Sequence, residues 1–438
     1  MKISFVFIFF LVTVRTPFAA SEETVKVEYY DWPATVERFL NFNPEISAAR
    51  MQLESARFNL RGSYSGFFPS FAAGLTYRRT SSPVQGSNNL SSLSDARENY
   101  GVNLSANQNL FSGLRDLHTV NLADHQFGAA ANSFVRTLAE LSYQLRITAG
   151  RSKFAVSSLS LARDIERRRE ENLRLVQLRY ENGSENKGSS LLAAAYLDSA
   201  RYETLQASQD LQSTEIELAR LLGITAGNFL PQSEAPESLT IPEQPDLEAL
   251  AVRTPEYIAA VWEEKAAKSN IEISRSQFYP SLNINGSLFR QDTAFFPQGN
   301  QWSMGMSVSY PIFDGGKDYY GIKAANANAA SKQYLREASF LNMKSKVQTS
   351  WQNFFAAEEK LKVDISFLRA AEARAEIARN KYNLGLLSFD QWDIIENDLI
   401  QRQKRVLETK LERNTAQANW LLLQGIPVEV QKENNVQK

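Results

Sequence analysis

The chain is one unit written twice, and this duplication restricts its possible folds more than any other feature. Asn43-Pro44-Glu45 returns as Thr254-Pro255-Glu256, and Phe68-Pro69-Ser70 as Tyr279-Pro280-Ser281, both at an offset of 211 residues. Leu110-Phe111-Ser112-Gly113 returns as Ile312-Phe313-Asp314-Gly315, and Arg179-Tyr180-Glu181-Asn182-Gly183 as Lys381-Tyr382-Asn383-Leu384-Gly385, at 202. Leu222-Gly223-Ile224 returns as Gln424-Gly425-Ile426, again at 202. One nine-residue difference in length, between the Pro and Phe-Gly landmarks, explains both offsets. The repeats span residues 21–224 and 247–426. Between them, residues 225–246 carry Pro231, Pro236, Pro242 and Pro245 and read as an extended linker. Residues 427–438 are a C-terminal tail.

Each repeat alternates between two hydrophobic periods. In residues 302–313 the even positions are Trp302, Met304, Met306, Val308, Tyr310 and Ile312, against Ser303, Gly305, Ser307 and Ser309. That is a two-faced strand. Tyr100, Val102, Leu104 and Ala106 make a second; Phe71, Ala73, Leu75 and Tyr77 a third; Leu282, Ile284 and Leu288 a fourth. Each repeat therefore carries one β-hairpin, over residues 71–111 and 282–313, with strands as long as tilted membrane strands. The first tip, residues 81–98, is rich in Ser and Asn; the second, 291–301, is shorter.

The remainder reads as helix. Residues 114–180 and 316–382 contain no Pro and are 67 residues each. A helix of that length spans ~100 Å. Leu361, Ile365, Leu368, Glu372, Ala375, Arg379 and Tyr382 keep a 4-3 heptad spacing, broken by two charges. Helices return over 190–222 and 392–423, and shorter ones over about 34–64 and 247–277 precede the hairpins. The expected chain is mainly α, with long coiled helices and four strands.

Lys2, an apolar run over residues 3–14 and Arg15-Thr16-Pro17-Phe18-Ala19-Ala20 predict a secretory signal peptide over 1–20, the alternative being a retained anchor. The run is too short to span a bilayer. With Lys2 and Arg15 removed, 46 basic residues face 49 acidic ones, leaving −3. This balance lacks the basic excess of a nucleic-acid binder. The absence of Cys excludes disulfides, thiolate metal sites, Cys nucleophiles and lipid attachment at cysteine. His118 and His125, seven residues apart, lie ~10 Å apart along a helix, too far to share one metal. Gly315-Gly316 lacks the Gly-Lys-Ser/Thr of a phosphate loop. The run Arg167-Arg168-Arg169-Glu170-Glu171 reads as a solvated helix face. No spacing suggests a catalytic centre or a cofactor.

Four strands cannot close in lipid, where an open sheet edge leaves backbone groups unpaired. An oligomer is required: a dimer supplies eight strands and a plugged barrel, a trimer twelve strands and room for a conduit. The competing possibility is a soluble coiled-coil protein whose hairpins pack on its own helices.

The order of these landmarks resembles the TolC family of outer-membrane efflux proteins. The resemblance rests on Phe68-Pro69-Ser70 and Tyr279-Pro280-Ser281 before strands, and on Leu110-Phe111-Ser112-Gly113 and Pro311-Ile312-Phe313-Asp314-Gly315-Gly316 after them. It rests above all on Ala378-Arg379-Asn380-Lys381-Tyr382-Asn383-Leu384-Gly385. It covers residues 30–426. It implies a homotrimer with one shared 12-stranded barrel in outer-membrane lipid and a helical tunnel across the periplasm. It also implies a periplasmic adaptor and an inner-membrane pump of RND or ABC type as partners in exporting small molecules or proteins, by tripartite efflux or type I secretion. The alternative function is a passive pore or envelope-spanning structural protein without a dedicated pump.

The resemblance places a gate just after the Tyr-x-x-Gly motif, in Ser388-Phe389-Asp390-Gln391-Trp392-Asp393-Ile394-Ile395-Glu396. Asp390 and Asp393 are three apart and can share a helix face, so three-fold symmetry would stack them as rings of acid. The alternative is that they only favour a helix N-terminus. The family's acids fall one position later, at Gln391 and Ile394, so all four residues are gate candidates. The resemblance also makes the coil tips an adaptor-docking surface: Tyr180, Asn182, Gly183 and Ser184 in one repeat, Tyr382, Leu384, Gly385 and Leu386 in the other. A left-handed turn is the other role of both glycines.

Overall fold

The computed structural model describes residues 31–81, 96–224 and 245–428. The expected signal peptide, most of the first hairpin tip, most of the linker and the end of the tail lie outside the described residues.

Helices α1 (Trp32–Phe42) and α2 (Pro44–Ser63) occupy the stretch expected as one helix. In the second repeat α5 (Leu247–Ala251) and α6 (Pro255–Ser276) do the same. The breaks fall at the first landmark of each repeat, because the residue before a proline is driven out of the helical region. Asn43 then caps α2, its Oδ1 accepting from the Glu45 and Ile46 amides at 2.9 and 3.0 Å. Thr254 caps α6 through the Tyr257 amide at 3.4 Å. Pro44 and Pro255 sit in the first turn, where no amide proton is needed.

The long helices α3 (Arg115–Glu181) and α7 (Lys317–Asn383) are 67 residues each, one residue downstream of the expected bounds. Each folds back on a 35-residue partner, α3 on α4 (Lys187–Leu221) and α7 on α8 (Phe389–Leu423). The repeats interleave: α6 packs on both α3 and α7, and α3 on α8. In α7 the buried seam runs through Ala371, Ala375, Ala378 and Tyr382. The heptad spacing holds, yet Glu372 and Arg379, expected in the seam, are displaced from it by their alanine neighbours. Alanine lets the helices approach closely, and the charges stay at the flanks. Near mid-height Trp32, Val36, Phe39, Ile46, Leu141, Leu145, Leu218 and Leu222 form one core cluster. Val347, Phe354 and Trp420 form its counterpart in the second repeat.

Strands β1 (Ser70–Ser81), β2 (Ala96–Ser112), β3 (Ser281–Asp292) and β4 (Gln301–Ser309) form one antiparallel sheet in chain order. β2 pairs with β3, so the sheet joins the two repeats. β4 stops short of Phe313 because Pro311 cannot donate to a ladder. The register aligns Ala73, Leu104, Leu288 and Trp302 in one row and Ala72, Ser105, Ser287 and Ser303 in the next. One face is therefore mainly apolar, with charge at its outer end, and the other is small and polar apart from Phe289 and Arg78. The apolar face is bare: Leu75 is 81% exposed, Trp302 77% and Met304 73%. Among the described residues, β1 and β4 each present an unpaired edge within the protomer. Among the described residues no helix is long and apolar enough to cross a membrane.

Candidate functional site at the coil tips

The two helical hairpins turn with the same backbone. Gly183 (φ 72°) ends α3 and Gly385 (φ 78°) ends α7, both left-handed. The next amide reaches back to an orphan carbonyl: Ser184 N–H to Arg179 at 2.8 Å, Leu386 N–H to Lys381 at 2.9 Å. Asn186 caps α4 through the Ser189 amide at 2.9 Å, and Ser388 caps α8 through the Gln391 amide at 3.4 Å.

The side chains on this backbone differ. Tyr180 is 43% exposed, whereas its counterpart Tyr382 is fully buried. Tyr382 stacks on Trp392 with ring centroids 4.3 Å apart and 14° between planes, and meets Phe389 edge-on. The Arg179 guanidinium lies 4.6 Å above the Tyr382 ring and donates to its carbonyl at 2.5 Å. The Tyr382 hydroxyl donates to Glu185 at 3.3 Å. Burial first, then the Glu185 carboxylate, push its pKa up to about 12, with Arg179 pulling the other way. Tyr382 is therefore not an exposed docking residue. It is the hub of a cluster with Val176, Ala193, Ala378, Phe389 and Trp392, and it ties α7 and α8 to α3 and α4.

The gate candidates separate in the same way. Asp390, Gln391 and Ile394 are exposed on α8. Asp393 is turned inward and ion-paired to Arg169 of α3 at 3.2 Å, so it does not share the exposed face of Asp390. Asn397 donates to the other Asp393 oxygen at 3.0 Å and accepts a short hydrogen bond from Arg169. One turn further, Glu396 is 1% exposed and sits between Arg168 at 3.0 Å and Arg379 at 3.6 Å. Burial pulls the Arg168 pKa below its usual value, against the opposing pull of Glu396. Of the arginine run expected on a solvated face, Arg167 stays there with Asp164 and Glu171, while Arg168 and Arg169 point inward.

Arg168, Arg169, Asn397 and Glu396 thus carry a polar bridge between the two repeats. The duplication holds a signal for it. At the 202-residue offset Arg168 and Arg169 correspond to Ala370 and Ala371, and Asp393 and Glu396 to Leu191 and Ala194. Opposite charges depart from the repeat at the same tip, in helices that meet. The remaining docking candidates are exposed at the two turns: Asn182, Gly183 and Ser184 beside Tyr180, and Leu384 (75%), Gly385 and Leu386 (72%). His125 packs on Trp262, with ring centroids 6.0 Å apart. Among the described residues no group of three or more His, Asp or Glu is placed to hold a metal ion.

The sequence is similar over most of its length to known channels. It is 21% identical to the probable outer membrane lipoprotein SilC of Salmonella typhimurium, covering 88% of this chain and 84% of that protein. It is 23% identical to the outer membrane protein OprJ of Pseudomonas aeruginosa, covering 84% of this chain and 80% of that one. The fold superposes on the crystal structure of CusC with a TM-score of 0.78 at 17% identity, over 89% of this chain and 91% of that one. It superposes on the open state of the Neisseria gonorrhoeae MtrE outer membrane channel with a TM-score of 0.78 at 18% identity, over 91% and 90%. The pattern of the outer membrane efflux protein family matches residues 35–224 and 247–425, that is, both repeats on either side of the linker. The chain belongs to the outer membrane efflux protein family.

Proposed function

We propose that three copies of this chain form the exit duct of an efflux pump, passing solutes from a periplasmic adaptor and an inner-membrane pump to the cell exterior. The observation that carries this reading is the four-stranded sheet, with one bare apolar face, one small polar face and two free edges. Such a sheet is stable in lipid only when its edges are paired. Pairing β4 of one protomer with β1 of the next closes twelve strands, with the apolar face toward lipid and the polar face toward a lumen. The long coils continue that lumen away from the membrane by ~100 Å.

Within this reading Asp390, Gln391 and Ile394 line the gate, and Asp393 holds the gate helix to α3. Leu384 and Leu386, large and exposed on the turn, anchor the adaptor together with Tyr180, Asn182, Gly183, Ser184 and Gly385. Relatives named for cation efflux and for toluene efflux are each 22% identical to this chain, over 60% and 87% of it. The pump and adaptor, rather than the duct, then select the cargo.

Deleting the gene is expected to sensitise cells to the cargo of the cognate pump. Unchanged resistance, together with a large constitutive conductance in planar bilayers, would replace this reading with a passive pore. Leu384→Asp with Leu386→Asp is expected to keep the trimer and abolish co-purification of the adaptor. Undiminished co-purification would remove the tips from the docking surface.

A further inference from the structure

The barrel's polar face carries almost no charge until its outer end. From the row of Ser70 to the row of Thr76, the residues in phase with them on all four strands are Ser, Asn, Gln, Ala, Gly and Phe289. None of these ionises. One pleat beyond Thr76 stands Arg78, opposite Asn99 and in the same phase. It is exposed, and among the described residues nothing pairs with it.

The neighbouring acids among the described residues are committed elsewhere. Glu98 lies in the opposite phase, where it accepts from Tyr77 at 3.4 Å and Tyr100 at 3.1 Å and pairs with Arg79 at 4.0 Å. Asp292 is opposite Tyr100, on that same face, and its carboxylate accepts the Thr293 amide at 2.7 Å. Among the described residues, the lumenal phase near the mouth is therefore left with a positive charge in each protomer that no acid offsets.

We propose that three Arg78 side chains form a cationic ring at the outer mouth, which draws in anions and hinders the return of expelled cations from outside. The proposal rests on the trimeric barrel proposed above. A ring of like charge at the mouth of a low-dielectric tube focuses its field along the axis, since among the described residues no opposing charge lies on that face of the strands. The field fades inward over about one Debye length, ~10 Å at 0.1 M salt. It thus acts at the mouth and leaves the middle of the barrel neutral.

The lack of cysteine in the chain permits a direct test. Thr76→Cys places one thiol about 7 Å below Arg78 on the same face. Anionic and cationic methanethiosulfonates of similar size are applied to intact cells, and the ratio of their rates is compared with that for a free thiol. The ratio cancels changes in thiol ionisation and crowding common to both reagents. The anionic reagent is expected to be favoured, with the ratio falling about fivefold in Thr76→Cys/Arg78→Gln and retained in Thr76→Cys/Arg78→Lys. At Ala72→Cys, about 13 Å further in along the strand, the ratio should approach that of the free thiol. Heat-resistant trimers on a gel check each variant's assembly. Reaction of Thr76→Cys with both reagents at a ratio indifferent to Arg78→Gln overturns the ring alone. A Thr76→Cys thiol inert to both reagents, in an assembled trimer, overturns the ring and the lumen with it.

Discussion

The two coil tips share a turn and differ in what stands on it. At the α3–α4 tip the positions after the cap are Lys187, Gly188, Ser189, Ser190, Leu191 and Leu192; at the α7–α8 tip they are Phe389, Asp390, Gln391, Trp392, Asp393 and Ile394. Small residues leave Tyr180 in solvent, while Phe389 and Trp392 enclose Tyr382. The duplication kept the backbone solution, because a left-handed glycine and an N-cap are local requirements that any helical hairpin of this shape must meet. It did not keep the packing, because each tip faces a different neighbour. One tip is thereby a free surface. The other is a fastening between the repeats, with only its outermost residues exposed.

Removing Tyr382 should break this contrast most severely. Tyr382→Ala empties a closed aromatic site and is expected to cost about 3–5 kcal/mol of local stability. Tyr180→Ala, at an exposed position, should stay within about 0.5 kcal/mol. Amide hydrogen exchange in the last turns of α7 and α3 reads the two effects separately. Equal losses at both tips would sink the claim that only one is a fastening.

Arg169→Ala comes next. It leaves Asp393 buried without its cation but still bonded to Asn397, so the loss should lie at the low end for broken buried pairs, about 3 kcal/mol. Adding Asp393→Leu places the first repeat's residue type opposite the alanine and should recover most of the protection in α8. A double variant no better than the single one would mean that Arg169 acts instead through Asn397 or through Tyr196, whose ring centroid lies 4.6 Å from its guanidinium.

A smaller effect follows from pH. An unfolded tyrosine ionises near 10, and folded Tyr382 only near about 12. The folded tip therefore holds its proton where the open tip releases it. Its stability is intact below pH 10 and declines as the pH rises from 10 toward 12. Tyr382→Phe removes the ionisation, so exchange at its α7–α8 tip should lose this alkaline acceleration. An identical pH profile in both proteins would assign the acceleration to other groups.

The helices, the strands and the duplication were legible in the sequence because each rests on a repeating local pattern. Periods of two and of three to four, Pro-free stretches and Gly landmarks placed α3 and α7 to within one residue. The break at Asn43-Pro44 was missed, because the landmark was read only as a mark of the repeat and not as the cap and helix start that it also is. Side-chain direction at the tips was less accessible. Asp390 and Asp393 are three apart in either account, and only the arrival of Arg169 from α3 turns one of them inward. Arg168 and Arg169 looked like any charged run, for burial depends on a partner 224 residues or more away in sequence. The seam shift from Glu372 and Arg379 to Ala371 and Ala378 has the same origin. A heptad sets the spacing, and the partner helix sets the phase.

The smallest effect should be the same at both tips. Gly183 and Gly385 have φ of 72° and 78°, and nothing crowds the space a Cβ would occupy at either, with Arg179 at 3.8 Å from it at Gly385. Alanine in the left-handed region costs about 1–2 kcal/mol. Gly183→Ala and Gly385→Ala should therefore each raise exchange at their own turn by similar factors, leaving the Tyr382 cluster protected in the first variant. If Gly385→Ala were far more damaging, the tips would differ already in their backbones, and the aromatic and ionic contacts would be a consequence of that difference rather than its source. Matched costs place the divergence of the two repeats where the side chains put it, in the neighbours each tip has to meet.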